Sequence, residues 1–202
     1  MRDVKIYLEG GGDAQSTRAD IRLGFHQFLH AVREAAQRNR ARVDVVPCGS
    51  KVEARDKFLA SRRDSPEIHS ILLVDSELPV HSLPKQHLIA NEQWHLGGVP
   101  DDVVHLMAQV FETWLLADPE VLSTFYGQKF LRNALPNAND LETVPKQDVA
   151  NVLRRATKHT TKEEYHKIRH ASALLALISP DKVRRRCRHC DRLFRQVSAV
   201  VT

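Results

Sequence analysis

Several features that would assign this chain of 202 residues to a familiar class are absent. It has only three cysteines, an odd number, which argues against a disulfide framework. It has no run of about 18 apolar residues, so the sequence predicts no membrane-spanning helix. Because the first residues lead directly into a predicted strand, without the apolar core of a signal peptide, we expect a cytoplasmic protein.

Sequence motifs of several enzyme classes are also absent. There is no G-x-x-x-x-G-K-[ST], which excludes a P-loop ATPase. The run Gly10-Gly11-Gly12 lacks the G-x-G-x-x-G spacing, so we do not expect a dinucleotide-binding fold. Neither a G-x-S-x-G elbow nor a catalytic-cysteine signature occurs. Any nucleotide gating would therefore have to come from a partner.

Charge is distributed unevenly along the chain, whose net charge is +5. Residues 151–202 contain 13 Lys and Arg against 4 Asp and Glu, a net charge of +9, and the remainder carries −4. An acidic body with a basic C-terminal segment suits a metal site beside a surface that binds a polyanion. A solvated basic helix is the alternative explanation of the same segment.

The first half of the chain alternates β-rich and helical patterns. The predicted order is strand 4–9, helix 16–39, strand 42–47, helix 51–63 with Ser50 as its N-cap, and strand 70–75. The last of these strands is an unbroken apolar run, which is typical of a central parallel strand. This order predicts an α/β fold with a parallel sheet flanked by helices and joined by right-handed crossovers.

The second half is predicted to be mainly helical. We expect a long loop over 78–102 with a short helix near 84–91, a fourth strand at 103–110, and helices at 148–159, 162–178 and 180–197. A single helix over 104–126 is the competing interpretation of the fourth strand. We therefore predict an α/β core over 1–126 and a helical, basic extension over 127–202 packed on the same domain.

Carboxylates follow two of the predicted strands at the point where each strand ends. Glu9 follows the first strand, and Asp75 and Glu77 end the third. Two residues apart in extended chain, Asp75 and Glu77 would point the same way and face one ion. Mg²⁺ prefers oxygen ligands, so we interpret these acids, with Asp13 and Glu112, as a divalent-metal site. Helix capping or plain solvation is the alternative.

Cationic residues cluster after the acidic positions. The segment before and within the predicted helix 162–178 contains Lys158, Lys162, Tyr165, His166, Lys167, Arg169 and His170, and the last helix contains Arg184, Arg185 and Arg186. Lys and Arg neutralise phosphates, so these residues are candidates for binding nucleic acid. Cys187 and Cys190 form a lone CxxC, and because zinc needs four ligands, we do not expect a zinc site there.

Four segments of the chain carry a resemblance to a known family. They are Leu8 to Asp13, Leu73 to Glu77, Gln109 to Asp118, and Tyr165 to Lys167. Together they resemble an uncharacterised bacterial Toprim-like family, related to OLD-type Toprim nucleases, whose members often lie beside ABC- or AAA-type ATPases in apparent phage-defence islands. The resemblance covers roughly residues 4–197.

The resemblance implies a Toprim-like nuclease that uses Mg²⁺ or Mn²⁺, serves antiviral defence and is regulated by an ATPase partner. It implies that Glu9 is a general acid/base or metal ligand, that Asp75 and Glu77 are ligands, and that Lys167 is the catalytic lysine. Glu112 matches a family glutamate without an established role. The usual D-x-D is Asp75-Ser76-Glu77 here, which leaves the number of metals open. A non-catalytic subunit that binds nucleic acid or docks on the ATPase is the alternative.

Overall fold

The fold is built on a four-stranded sheet in which all neighbouring strands are parallel. The computed structural model describes residues 2–12 and 14–202. The strands are β1 (Val4–Leu8), β2 (Val43–Pro47), β3 (His69–Asp75) and β4 (Val104–Met107), and their order in the sheet is β2-β1-β3-β4. The predicted α/β class with a parallel sheet flanked by helices is thereby confirmed.

Ten α-helices occur among the described residues. They are α1 (Gln15–Phe28), α2 (His30–Arg38), α3 (Lys51–Asp64), α4 (Pro84–Glu92), α5 (Glu112–Leu115), α6 (Pro119–Tyr126), α7 (Lys146–Thr157), α8 (Lys167–Leu177), α9 (Pro180–Arg186) and α10 (Arg188–Val201). Short 3-10 turns precede β4 and interrupt the segment between α6 and α7. As the helix-capping pattern predicts, the Ser50 hydroxyl accepts a hydrogen bond from the Glu53 amide at 3.1 Å.

Helices cover both faces of the sheet, which explains why β3 is apolar throughout. Ile71 and Leu73 belong to a core shared with α1, α2, α8 and α10, among other helices. Leu72 and Val74 point the opposite way and pack with residues of α3 and α4. Because alternate side chains leave opposite faces of a strand, a strand buried on both sides needs a continuous apolar run.

Three of the predicted helices have different bounds in the structure. The helix expected over 16–39 is divided at Leu29, whose ψ of 13° interrupts the regular backbone. The helix expected over 162–178 begins only at Lys167, because polar side chains before it bond to the backbone instead. The Thr157 hydroxyl accepts from the Tyr165 amide at 2.7 Å, for example. The helix expected over 180–197 is divided at the extended residue Cys187.

The alternative of one helix over 104–126 is wrong. Its first four residues form β4, and two short helices follow. The first of them ends at Leu115, and Asp118 caps the second, α6, with Pro119 in the first helical position. Val104–Met107 form a strand because they pair with Leu72 to Asp75 of the central strand β3 and are completely buried there.

Arginine side chains donate hydrogen bonds to backbone carbonyls on both outer strands. Arg22 and Arg33 each donate from Nε to a carbonyl of the edge strand β2, at 3.2 and 3.1 Å. At the other edge, Arg192 donates to the carbonyl of Val104 in β4 at 2.7 Å. These carbonyls are thus paired although, in the described part of the chain, no further strand lies beside them.

The C-terminal helices share the core of the α/β part. Phe28 of α1 stacks on Trp114, with ring centroids 5.5 Å apart, and meets Phe194 of α10 edge-on at the same distance. One continuous apolar cluster therefore joins the first and the last helix. In the described ranges, no helix has the length and the apolar character needed to cross a membrane.

Candidate metal centre and adjoining groove

The carboxyl ends of β1 and β3 meet where the chain changes direction across the sheet. From β1 the chain continues to β2 on one side, and from β3 it continues to β4 on the other. In parallel α/β sheets, such a switch point leaves a crevice between the two strands, and ligands bind there. Glu9 directly follows β1 and Asp75 ends β3, so both lie at this crevice.

A turn of three glycines follows Glu9. Gly10, Gly11 and Gly12 have φ values of 132°, 87° and 53°, which residues other than glycine rarely adopt. Gly10 and Gly49 exchange two backbone hydrogen bonds of 2.9 Å, which tie the turn to the end of β2. The Arg18 guanidinium donates to the Gly12 carbonyl at 2.8 Å. The turn is therefore fixed from both sides.

Two hydrogen bonds set the positions of Glu9 and Asp75. The Asp75 amide donates to Oε2 of Glu9 at 2.9 Å, and the Phe111 amide donates to Oδ1 of Asp75 at 2.8 Å. Asp75 is only 5% exposed. Since backbone groups make both bonds, the two carboxylates are held by the sheet and by the turn that follows β4.

Glu77 reaches the same place by a route that differs from the expected extended chain. It has a φ of 63°, in the left-handed region. Its amide donates to the Gln109 carbonyl at 2.8 Å, and the Ser76 amide donates to the Met107 carbonyl at 3.1 Å. The predicted convergence is confirmed, because carboxylate oxygens of Glu9, Asp75 and Glu77 lie within 4.8 Å of one another.

Burial and mutual repulsion act on these acids. Burial raises the pKa of Glu9 above its usual value, although the positive charge of Lys51 opposes this. Burial, and then the charge of Glu9, raise the pKa of Asp75 well above its usual range. A cation between the carboxylates would relieve this repulsion.

The arrangement fits a divalent cation. Mg²⁺ lies about 2.0–2.1 Å from oxygen ligands and Ca²⁺ about 2.3–2.6 Å, so ligands on opposite sides of one ion are roughly 4–5 Å apart. The three carboxylates span a comparable distance. Their hard oxygen atoms suit Mg²⁺ or Mn²⁺. Asp13, which we predicted as a further ligand, lies outside the described residues.

Two lysines contact Glu77, and neither was expected from the sequence. The Lys146 ammonium hydrogen-bonds to Oε2 of Glu77, which raises the pKa of Lys146. Lys51 lies 3.7 Å from the other oxygen and 2.8 Å from Glu92. Lys51 had one sequence signal, since it begins the helix after β2 at the same sheet edge. Lys146 had none, because it begins α7, 69 residues further along the chain than Glu77.

Glu112, predicted as a metal ligand, is itself buried and forms a separate pair with the exposed Lys167. Its Oε1 accepts a hydrogen bond from the Tyr165 hydroxyl at 3.2 Å and lies 3.3 Å from Nζ of Lys167. Burial lowers the pKa of Lys167, but attraction to Glu112 and Asp75 outweighs it and raises the pKa overall. Burial and the charge of Glu112 likewise raise the pKa of Tyr165. Glu112 thus holds Lys167 charged beside the three acids.

Two cavities meet at the acids. A cavity of about 320 Å³ extends towards the glycine turn, and one of about 590 Å³ extends towards α7. Glu9, Asp75 and Lys167 line both. The larger one, called the charged groove here, also includes Lys146, Arg154, His166, Glu77, Glu112 and Glu164. Its three cations each lie beside an acid, Lys146 at Glu77, Arg154 at 3.6 Å from Glu164 and Lys167 at 3.3 Å from Glu112.

Other residues predicted to bind nucleic acid lie apart from the acids. Lys158 is exposed after α7, and Lys162 lies 4.7 Å from the ring centre of Phe125. Arg169 pairs with Glu163 at 3.2 Å. These three remain surface cations, and no contact to the acidic group is recorded for them in the described structure.

The three consecutive arginines of α9 have different surroundings. Arg184 pairs with Asp191 at 2.9 Å, and Arg186 donates to the Ala138 carbonyl at 2.7 Å. Arg185 is exposed. The neighbouring Cys187 and Cys190 are buried free thiols, whose pKa values are raised by burial. Two of the three arginines therefore support the fold, and Arg185 alone of the three is fully at the surface.

The sheet and its acidic crevice define an α/β protein with a candidate divalent-metal centre. The family model described as a domain of unknown function, DUF4276, matches residues 8–198, and the chain belongs to this family. No curated protein matches the chain, and no solved structure does either.

Proposed function

We propose that this chain is a Toprim-like nuclease that hydrolyses phosphodiesters with Mg²⁺ or Mn²⁺. The observation that carries the proposal is the convergence of Glu9, Asp75 and Glu77 within 4.8 Å, with the Lys167 ammonium held beside them by Glu112. Acids that hold a cation, next to a fixed positive charge, suit the stabilisation of a phosphoryl group in its transition state.

Each residue has a role in this proposal. A divalent cation held by Asp75 and Glu77, with Glu9 beside it, would polarise the phosphate and lower the pKa of the attacking water. Glu9, with its raised pKa, accepts the proton of that water as the new P–O bond forms. Lys167 neutralises the non-bridging oxygens, and the leaving oxygen takes its proton from solvent. Lys146 and Arg154 of the charged groove hold the adjoining backbone, for which they exchange their carboxylate partners Glu77 and Glu164.

The sequence resemblance alone supports the wider part of the proposal. It suggests a role in antiviral defence and an ATPase partner that regulates cleavage. Since the sequence has no P-loop, the nucleotide would bind to that partner.

A non-catalytic subunit is the second candidate, and one observation favours it. Lys146 and Lys51 both contact Glu77, so these ammonium groups already balance part of the charge that a metal would neutralise. In this case the groove would bind nucleic acid, or a partner, without cutting.

The variant Asp75→Asn tests the first proposal. The amide can still accept the bond from Phe111, so the fold should survive, but a charge that the cation needs is lost. Mn²⁺ at 100 times its Kd should stabilise the wild type by about 2.7 kcal/mol. The variant should gain far less, and its cleavage of nucleic acid should fall by orders of magnitude.

Glu34→Gln is the matched control, because Glu34 is an exposed carboxylate on α2. It should keep both the stabilisation by Mn²⁺ and the cleavage. Equal stabilisation of the wild type and Asp75→Asn would end the metal-site assignment. Metal binding by the wild type without any cleavage, with the ATPase present, would favour the non-catalytic subunit.

A further inference from the structure

The smaller cavity at the acids differs in chemistry from the charged groove. We call it the apolar pocket. It is lined by the glycine turn and Gly49, by Thr17, Ile21 and Phe25 of α1, by Ile168, Ala171 and Ser172 of α8, and by Phe111. Among its described lining residues, charge is confined to the three that it shares with the charged groove, Glu9, Asp75 and Lys167.

We infer that the apolar pocket receives one unpaired nucleobase of the nucleic acid whose phosphodiester lies over the acids. This inference rests on the proposed function and specifies its substrate class. The substrate would be a single strand, or a strand with an extruded base, because a paired base remains stacked inside its duplex and cannot enter a side pocket.

The size and walls of the pocket support a base. Its volume of about 320 Å³ is near the lower end of the range for small-ligand pockets, roughly 300–1,000 Å³. That volume suits one planar ring system better than a larger ligand. Ile168, which is 65% exposed, provides most of the apolar surface, and the nearly buried Ile21, Phe25 and Phe111 close the inner end. Every base has a face that can pack on such a wall.

The arrangement of the two cavities supports the same assignment. Both cavities open at Glu9, Asp75 and Lys167, so a phosphate bound there has the charged groove on one side and the apolar pocket on the other. A nucleic-acid strand likewise has a charged backbone and an apolar base. A backbone held in the charged groove by Lys146 and Arg154 would thus bring the base of the adjoining nucleotide to the apolar pocket.

Ile168 offers a specific test. It is 65% exposed and lines the apolar pocket from the first turn of α8. Leu177, at the end of the same helix, is 57% exposed and is not among the residues that line the pocket. Ile168→Ser and Leu177→Ser therefore remove similar apolar groups without a change in charge, and Leu177→Ser is the matched control.

The experiment measures binding of fluorescent oligonucleotides to the full chain in Ca²⁺. The probes are a single strand with 2-aminopurine, the same strand with an abasic residue in its place, and the corresponding duplex, in DNA and in RNA. The intact single strand should bind about five times more tightly than the abasic strand, the lower end of the range for packing one base on protein side chains. Ile168→Ser should reduce this ratio, and Leu177→Ser should preserve it.

The outcomes separate this inference from the proposed function. Equal affinity for the intact strand, the abasic strand and the duplex would overturn the nucleobase pocket, even if the protein cleaves all three. Absence of binding to every probe would overturn it as well. Base-dependent binding that is lost in Ile168→Ser, with no cleavage under any condition, would confirm the pocket and contradict the nuclease.

Discussion

The amide of Asp75 donates a hydrogen bond of 2.9 Å to the carboxylate of Glu9. The strand that carries one acid therefore positions the other. This bond requires the pairing of β1 with β3, in which Leu8 lies opposite Leu73. A shift of one residue between these strands would separate the two carboxylates, so the register of the central pair determines the geometry of the site.

Removal of the Lys146 ammonium should strengthen the binding of divalent cations. Lys146 pairs with Glu77, and in Lys146→Ala that carboxylate loses a competing positive charge. Both side chains are partly exposed, and such pairs contribute about 0.2–1 kcal/mol. We expect the Kd for Mn²⁺ to fall by up to about fivefold, as measured by isothermal titration calorimetry.

Lys57→Ala is a suitable control for this experiment, because Lys57 is an exposed lysine on α3. Its Kd for Mn²⁺ should equal that of the wild type. Weaker binding in Lys146→Ala would contradict the competition between the lysine and the metal.

The His105 imidazole should make the protein less stable in acid. Burial, followed by repulsion from Arg192, lowers its pKa to about 3. One ring nitrogen lies 2.9 Å from the Asp102 carbonyl, and the other lies 3.2 Å from the Arg192 guanidinium, which can only donate. The native state therefore keeps the ring neutral.

Between about pH 3 and the usual histidine pKa, the unfolded chain binds a proton at this position that the native chain does not. The free energy of unfolding should therefore fall as the pH decreases through that window, by about 1.4 kcal/mol per pH unit from this group. Urea unfolding of His105→Gln should show a smaller slope. His95→Gln, at an exposed position, should keep the slope of the wild type, and identical slopes in all three proteins would refute the assignment.

Asp118 should be essential for stability, whereas its neighbour Glu120 should not. The buried Asp118 carboxylate accepts from the Ser179 amide at 3.0 Å and pairs with Lys182 at 2.6 Å, which joins α6 to α9. Asp118→Ala should cost about 1–3 kcal/mol of unfolding free energy, because the Ser179 amide loses its acceptor and α6 loses its N-cap. Glu120 pairs with the same lysine at the surface, so Glu120→Ala should cost less than about 1 kcal/mol in urea unfolding. Equal losses of stability in the two variants would show that the bonds of the buried Asp118 carboxylate contribute no more than the surface ion pair of Glu120.

The arginines of α9 should separate into structural and surface residues. Arg186 donates to the carbonyls of Ala138 and Leu116, so Arg186→Ala should cost about 1–3 kcal/mol of stability. The exposed Arg185 should tolerate alanine within about 0.5 kcal/mol. If Arg185 contacts a phosphate, Arg185→Ala should also reduce the salt dependence of nucleic-acid binding by up to about one unit of slope. An unchanged slope would place Arg185 away from the nucleic acid.

The sequence was sufficient to predict the sheet and the acids at its edge. Apolar runs such as that ending at Asp75 identify buried strands, and parallel strands bring their carboxyl ends to one edge. The convergence of Glu9 and Asp75 therefore follows from topology. That of Glu77 does not, because its left-handed turn is held by carbonyls of Met107 and Gln109 from a later part of the chain.

The helix bounds that were predicted wrongly have the same cause. Whether α8 begins at residue 162 or at Lys167 depends on the Thr157 hydroxyl, which accepts a hydrogen bond from the Tyr165 amide. The place where α10 separates from α9 depends on the burial of Cys187. Periodicity reports which face of a helix is apolar, but bonds between distant segments decide where the helix ends.

The arginines along β2 and β4 have a consequence for how other proteins bind this chain. Many partners dock by adding a strand to an exposed sheet edge, which requires free carbonyls on the receiving strand. Here a partner strand would first have to displace Arg22 and Arg33 from β2, or Arg192 from β4. We therefore expect an associated protein to bind through side chains on the helical surfaces, and peptides that extend a β-sheet to find no place on this molecule.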